Sequence, residues 1–277
     1  MDEPYFFVLG APKSGTTWVQ KALDAHPELL CRGEGKFMIF RRELAKAASY
    51  YSDYLTGHQM KVFGEEFFPT MSRPQFDRLY RIFMEQRLLG DGAPPGVRRV
   101  GNKDPEHGMV MPELTGHFPD AAYIHVIRDP RDLAVSTWHH MRRLEPEFVD
   151  SIGAFEAFAT QNVKEWTIYL RNVRKVAAEK ALDYIELRYE DLHADETGAL
   201  GRVLEFLGVE ATAPRIAECL DRASFERASG GRPRGQADAG SFYRKGVVGD
   251  WRVEMSDDLS ATLLDLTEGA AEELDYR

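Results

Sequence analysis

The chain has 277 residues, a formal net charge of −10, 43% hydrophobic residues and 29% charged residues. The length suits one large domain, the apolar content supports a sizeable core, and the acidic balance argues against a nucleic-acid binder, which carries a basic face. It leaves room for a small anionic ligand, because one cleft of an acidic protein can hold a few local cations.

The amino-terminal run YFFVL ends at Gly10 and reads as a buried strand. The loop GAPKSGTTW follows, and TWVQKALDAHP then carries Val19, Ala22, Leu23 and His26 at helical spacing before Pro27 stops it. Residues 33–95 are aromatic-rich and broken by GEGKF, YYSDYLTGHQ, FFPTMSRP and GDGAPPG, so short helices and loops forming a wall or lid are expected there. VRRVG is a weak strand and AAYIHVI a stronger one; Asp129 and Pro130 then suit an N-cap and first helical position. A long helix is expected over about residues 152–180, then the strand DYIELR, a helix closed by Gly208, and a helix over 214–222. Residues 229–250 read as a mobile Gly- and Arg-rich loop, and Ser256 as the cap of a terminal helix running to Leu274.

Strands alternate with helices, which predicts an α/β fold with a central parallel sheet flanked by helices, similar to phosphate-loop proteins. A single domain over residues 1–277 is expected, with a substrate-side insertion around 33–95. No run of about 18 apolar residues is present, so no membrane span is expected. The acidic start MDEPYFFVLG lacks the form of a secretory signal, and a cytoplasmic location is expected. Cys31 and Cys219 lack metal or disulfide-framework spacing and read as idle thiols.

A strand, a Gly-containing turn and a helix start make an anion site, because the first helical amides are unpaired and the helix dipole favours negative charge. Gly15 permits close approach, Lys13 adds a charge, and Ser14, Thr16 and Thr17 add hydroxyls. An ordinary turn is the plain alternative. A nucleotide hydrolase or kinase is the sharper rival, but its loop reads GxxxxGK[ST]. Thr16 stands where that lysine belongs, and YIHVIRDP ends in Arg128 rather than a metal-binding Asp.

Pro12 to Trp18, PKSGTTW, resembles the cofactor loop of sulfotransferases that use 3′-phosphoadenosine 5′-phosphosulfate (PAPS). Other stretches extend the resemblance in the family's order. In IRDPRDLAVS, Arg128 and Ser136 match the pair that holds the cofactor's 3′-phosphate, as do Arg244, Lys245 and Gly246 of FYRKGVVGDW. In RYEDL, Tyr189 matches the tyrosine that reaches the adenine, while Trp18 and Phe225 match aromatic residues lining the base. Taken singly, each has a bland reading: an ion pair for Arg128, a solvated charged loop for 244–246, ordinary core for Phe225.

The resemblance implies a PAPS-dependent sulfotransferase that yields adenosine 3′,5′-bisphosphate, requires no metal, and acts on a hydroxyl or, less favoured, an amine of a small-molecule or carrier-bound acceptor. It implies that Lys13 meets charge growing on the leaving oxygen and that Lys103 touches the sulfuryl oxygens. The general base of cytosolic members is a histidine, and Pro105 stands in its place; His107 is one substitute. DAHPELLCRGEGKF resembles the segment of carbohydrate and tyrosyl-protein sulfotransferases that carries a glutamate base, and Glu34 is its match. Tyr50, Tyr51, Tyr54, Phe67 and Phe68 form either an apolar acceptor wall or core. A magnesium-dependent kinase or NTPase and a non-catalytic adenosine-bisphosphate-binding protein are the rival functions.

Overall fold

A computed structural model describes residues 5–64, 68–90 and 92–277. Five strands, β1 (Tyr5–Leu9), β2 (Leu29–Arg32), β3 (Arg99–Lys103), β4 (Ala122–Ile127) and β5 (Asp183–Arg188), form one parallel sheet in the order β2-β3-β1-β4-β5. This is the expected α/β architecture. β1 and β4 are buried along their whole length, as befits the continuous apolar runs of a parallel sheet covered on both faces. The chain leaves β1, builds β2 and β3 on one side, and returns with β4 on the other. The strand order therefore reverses at β1, and ligands of open parallel sheets bind beyond the carboxyl ends of the strands at such a reversal.

β2 was not expected from the sequence. It has only four residues, too few for a readable period. Helix Thr16–Asp24 stabilises this edge strand: Asp24 Oδ1 accepts from the Cys31 N–H at 2.8 Å, and Gln20 Nε2 donates to the Cys31 carbonyl at 2.6 Å. β3 begins two residues later than the VRRVG run, with Gly101 lying directly against the Phe6 ring. Asp129 caps helix Pro130–Leu144 by accepting from Arg131 N–H at 2.9 Å. Ser256 caps as expected, but its helix stops at Asp265 instead of reaching Leu274.

The chain divides into two compact units, one containing the sheet with residues up to Gly33 and Gly96–Arg277, the other Glu34–Pro95. In the second unit, short helices give way to long ones, Phe37–Tyr54 and Arg73–Leu89. The backbone continues through Thr56 and Gly57 as a π-type turn, Leu55–Gln59, where the sequence suggested a loop. Phe76, Tyr80, Met84 and Leu88 recur every fourth residue and are the buried face of the later helix. Phe40 stacks on Phe83 with centroids 3.5 Å apart. Tyr50, Tyr51, Tyr54 and Phe68 are exposed rather than core; Phe67 lies outside the described residues.

His125 in β4 is buried beneath the sheet. Its Nδ1 bonds the Tyr184 hydroxyl at 2.7 Å, Tyr184 donates to Glu186 at 2.6 Å, and Arg174 grips Glu186 through two bonds of 2.8 Å. Because Tyr184 donates to the carboxylate, its oxygen accepts from His125, which fixes the ring as the Nδ1–H tautomer. Burial lowers the pKa of His125 to about 4, against the pull of Glu186. The unfolded ring takes up a proton near pH ~6.5, so between these values the unfolded chain binds more protons. Stability is then full above pH ~6.5 and falls by up to about 3 kcal/mol as pH drops towards 4. In urea titrations at pH 7 and pH 5, His125→Asn should lose less stability on acidification than the parent; an equal loss would assign the acid sensitivity elsewhere.

Candidate functional site

The carboxyl ends of the strands carry the chemistry-bearing residues that the sequence singled out. β1 opens into Gly10–Gly15, β3 ends at Lys103, β4 ends just before Arg128, and β5 ends just before Tyr189. At the end of β2, Asn102 Nδ2 donates to the Gly33 carbonyl at 2.5 Å and fixes the exit of that strand.

The Gly10–Gly15 loop holds itself in shape. Ser14 closes a turn onto the Ala11 carbonyl through its N–H at 3.1 Å and its hydroxyl at 2.5 Å, so this hydroxyl proton is directed inward. Lys13 adopts φ 74°, a left-handed conformation that costs a side-chain-bearing residue of order 1 kcal/mol or more. Its ammonium lies 3.9 Å from the centroid of the half-exposed Phe242 ring. Gly15 precedes the helix at φ 97°, and any side chain there would collide with the Tyr189 ring, which a Cβ would meet at 2.5 Å. Helix Thr16–Asp24 has neither a side-chain cap nor an acidic first turn, so its first amides and the hydroxyls of Thr16 and Thr17 remain suited to an external anion. Pro12 is exposed, and Trp18 is half-buried.

Arg128 joins the separate stretches. Its Nη1 donates to the Lys13 carbonyl at 3.2 Å and its Nη2 to the Val247 carbonyl at 3.0 Å. The guanidinium lies 4.4 Å from the Tyr189 centroid and 3.7 Å from Asp132. Asp132, with no exposed side-chain surface, accepts from the N–H groups of Gly249 and Trp251 at 2.6 and 3.0 Å. Ser136 follows Asp132 by one helical turn and therefore lies on the same face, half-buried.

Arg244 and Lys245 converge on Asp250. Lys245 Nζ is 2.5 Å from one carboxylate oxygen, Arg244 pairs with the other, and Arg244 also reaches Glu254 at 3.5 Å. Burial pushes the Asp250 carboxyl up, but the two cations outweigh it and hold it below the usual carboxylate range. Gly246 has φ 66°, and a Cβ there would meet the Phe225 ring at 2.5 Å. Burial is also the main cause lowering the His193 pKa to about 4, and Arg234 and Arg128 lower it further. The same two cations oppose the upward push of burial on Tyr189. Asp132 and Glu190 act the other way at Tyr189, so cations and carboxylates are interleaved here.

The two candidate bases differ. His107 is buried in the turn Pro105–Gly108, with Nε2 at 2.7 Å from Asn102 Oδ1 and its ring edge-on to Phe7. Its ring is thus engaged within the core side of the sheet. Glu34, in the other unit, lies 2.9 Å from Lys36 with a partly exposed side chain. Lys103 is buried at the end of β3. Among the described residues, no group of three or more His, Cys, Asp or Glu side chains is arranged to hold a metal, and no helix is long and apolar enough to cross a membrane.

Sequence reasoning missed residues that support the site from behind. Asp132 and Asp250 lie inside the quoted stretches, yet only contacts reveal that they organise them. Tyr169 had no local signal at all: it sits mid-helix, accepts from the Gly10 N–H at 2.9 Å and donates to the Pro105 carbonyl at 2.9 Å. Burial pushes its phenol up, so it remains a neutral donor and acceptor.

Comparison with known proteins agrees with this architecture. The model of the sulfotransferase family matches residues 4–213, and the chain belongs to that family. Protein-tyrosine sulfotransferase A of Caenorhabditis elegans is 31% identical over 131 residues, covering 46% of this chain and 31% of the relative. The omega-hydroxy-beta-dihydromenaquinone-9 sulfotransferase Stf3 of Mycobacterium bovis is 31% identical over 132 residues, covering 45% and 33%. The chain thus spans less than half the length of these curated relatives. Mouse sulfotransferase SULT7A1 complexed with PAP superposes with a TM-score of 0.61 at 17% identity, covering 98% of this chain and 85% of that one. The sulfotransferase domain from the curacin biosynthetic pathway gives 0.56 at 17% identity, covering 100% and 99%. These two structures share the fold.

Tyr169→Phe would leave the buried Gly10 N–H without its acceptor. The expected loss is about 1–3 kcal/mol of stability, measured by urea unfolding; an unchanged midpoint would show that the loop does not depend on this hydroxyl.

Proposed function

We propose that the protein transfers a sulfuryl group from PAPS to a hydroxyl of a small-molecule or carrier-bound acceptor, releasing adenosine 3′,5′-bisphosphate. The observation that carries this reading is Arg128, which at the reversal point of the sheet bonds the carbonyl of Lys13, bonds that of Val247 next to the Arg244–Gly246 stretch, and lies against the Tyr189 ring. Two buried donors without partners, Arg128 Nε and Trp18 Nε1, fit a ligand rich in oxygen and nitrogen acceptors. The close approaches at Gly15 and Gly246 put Tyr189 and Phe225 hard against the backbone of the two anion-binding loops, which suits a flat base held beside phosphates.

When bound, the donor supplies an activated sulfuryl group whose bond to a 5′-phosphate oxygen breaks. The amides at the start of helix Thr16–Asp24, with Thr16 and Thr17, hold the 5′-phosphate. Lys13 offers its ammonium to the oxygen on which charge grows. Arg128, Ser136, Arg244, Lys245 and the Gly246 amide receive the 3′-phosphate, Arg244 and Lys245 exchanging Asp250 for it. Trp18, Tyr189 and Phe225 border the base. Lys103 faces the sulfuryl oxygens.

Glu34 takes the acceptor's proton. Supporting it over His107 is the engagement of that ring with Asn102, which also fixes Gly33, the residue joined to Glu34. A single functional domain over residues 1–277 is part of this reading, and the exposed aromatic residues of Glu34–Pro95 suit an apolar acceptor. Such an enzyme would act in the cytoplasm.

Adenosine 3′,5′-bisphosphate should raise the melting temperature more than ATP with magnesium, through preferential binding to the folded state. The opposite order would favour a kinase or NTPase.

Lys13→Ala should bind the bisphosphate but lose on the order of 10²–10³ in turnover. Arg128→Ala should instead weaken nucleotide binding. Glu34→Gln should retain nucleotide binding and lose turnover in a PAPS-dependent assay; full turnover would remove Glu34 as the base.

A further inference from the structure

Residues between the helices Phe225–Ala228 and Trp251–Glu254 form a long stretch without regular structure. Glycines 230, 231, 235 and 240 add backbone freedom, so something other than secondary structure must order it. One side chain meets that need. The Arg232 guanidinium, with 12% of its side-chain surface exposed, donates to the carbonyl of Arg244 at 2.7 Å and to those of Gln236 and Tyr243. It also lies 5.5 Å from the Phe225 centroid. Its own N–H donates to Ser229 Oγ at 3.2 Å. Around this hub, Gly235 N–H donates to the Lys245 carbonyl at 2.9 Å and Asp238 N–H to the Arg244 carbonyl at 3.0 Å.

We propose that Arg232 is a positioning residue for 3′-phosphate recognition: by binding the carbonyls of Tyr243 and Arg244, it aims the Arg244–Lys245 pair and links it to Phe225 at the base. This rests on the proposed use of PAPS. Its physical basis is the planar fork of the guanidinium, whose separate N–H groups satisfy several carbonyls held in different directions. Lysine has the charge but only one nitrogen centre, so it cannot hold the same set. The role is indirect, because these bonds run to backbone carbonyls of the clamp rather than to a ligand.

The test compares calorimetric affinities for adenosine 3′,5′-bisphosphate and adenosine 5′-monophosphate in the wild type, Arg232→Lys, Arg232→Gln, Arg244→Ala and the Arg232→Gln/Arg244→Ala double variant. The expected loss at Arg232 is on the order of tenfold or more for the bisphosphate, with little change for the monophosphate. Arg232→Lys should not restore the preference, and the double variant should be scarcely worse than Arg244→Ala because the two act as one unit. Should Arg232→Gln not fold, Arg232→Lys supplies the same nucleotide comparison. Equal losses for both nucleotides, rescue by lysine, or additive losses would overturn the inference. A wild type that does not prefer the bisphosphate would overturn the proposed PAPS reading itself; a wild-type preference preserved in the Arg232 variants would overturn this inference alone.

Discussion

The guanidinium of Arg128 is the interaction on which the candidate site depends. It leaves the central sheet at the carboxyl end of β4 and bonds a carbonyl from the first loop of the chain and another from the long stretch before helix Trp251–Glu254. Backbone groups at these two places have no strand or helix to tie them together. One buried, forked cation does so, and Asp132 beneath it gathers the amides of Gly249 and Trp251. The sheet thus supplies rigidity, while a small set of ionic and hydrogen-bonded contacts supplies convergence. The same geometry shows how an acidic chain can place cations where it needs them: they are positioned by topology rather than by composition.

Much of the fold was legible because its strongest elements obey local rules. YFFVL and AYIHVI are uninterrupted apolar runs, and both are buried strands. Asp129-Pro130 announced a helix start, and the structure has one there. β2 was not legible, because four residues offer no period and their edge is satisfied by side chains from another element. The length of the helical run that starts at Phe37 was hidden by Thr56 and Gly57, which resemble a turn but are carried through a π-type segment.

The candidate site was legible as a set of motifs, not as a set of contacts. The stretches around Lys13, Arg128, Tyr189 and Arg244 could be matched in sequence, and the fold brings them together in one unit. The supports could not be read. Tyr169 is one residue of a long helix whose hydroxyl happens to meet Gly10 and Pro105, and Arg232 looks like any charge in a Gly-rich loop. Such roles arise from three-dimensional neighbours and leave no spacing behind. The inward-turned Ser14 hydroxyl shows the converse, a motif residue whose proton serves the loop's own turn.

Asp250 gives the cluster a further property. Because its carboxylate engages both Arg244 and Lys245, any incoming anion must compete with a tethered one. Simple inorganic oxyanions, each offering few additional contacts, gain little from that exchange. The proposed nucleotide, which would also engage the first loop and the aromatic rings, is the kind of ligand that overcomes it, and the built-in counterion would then act as a selectivity filter.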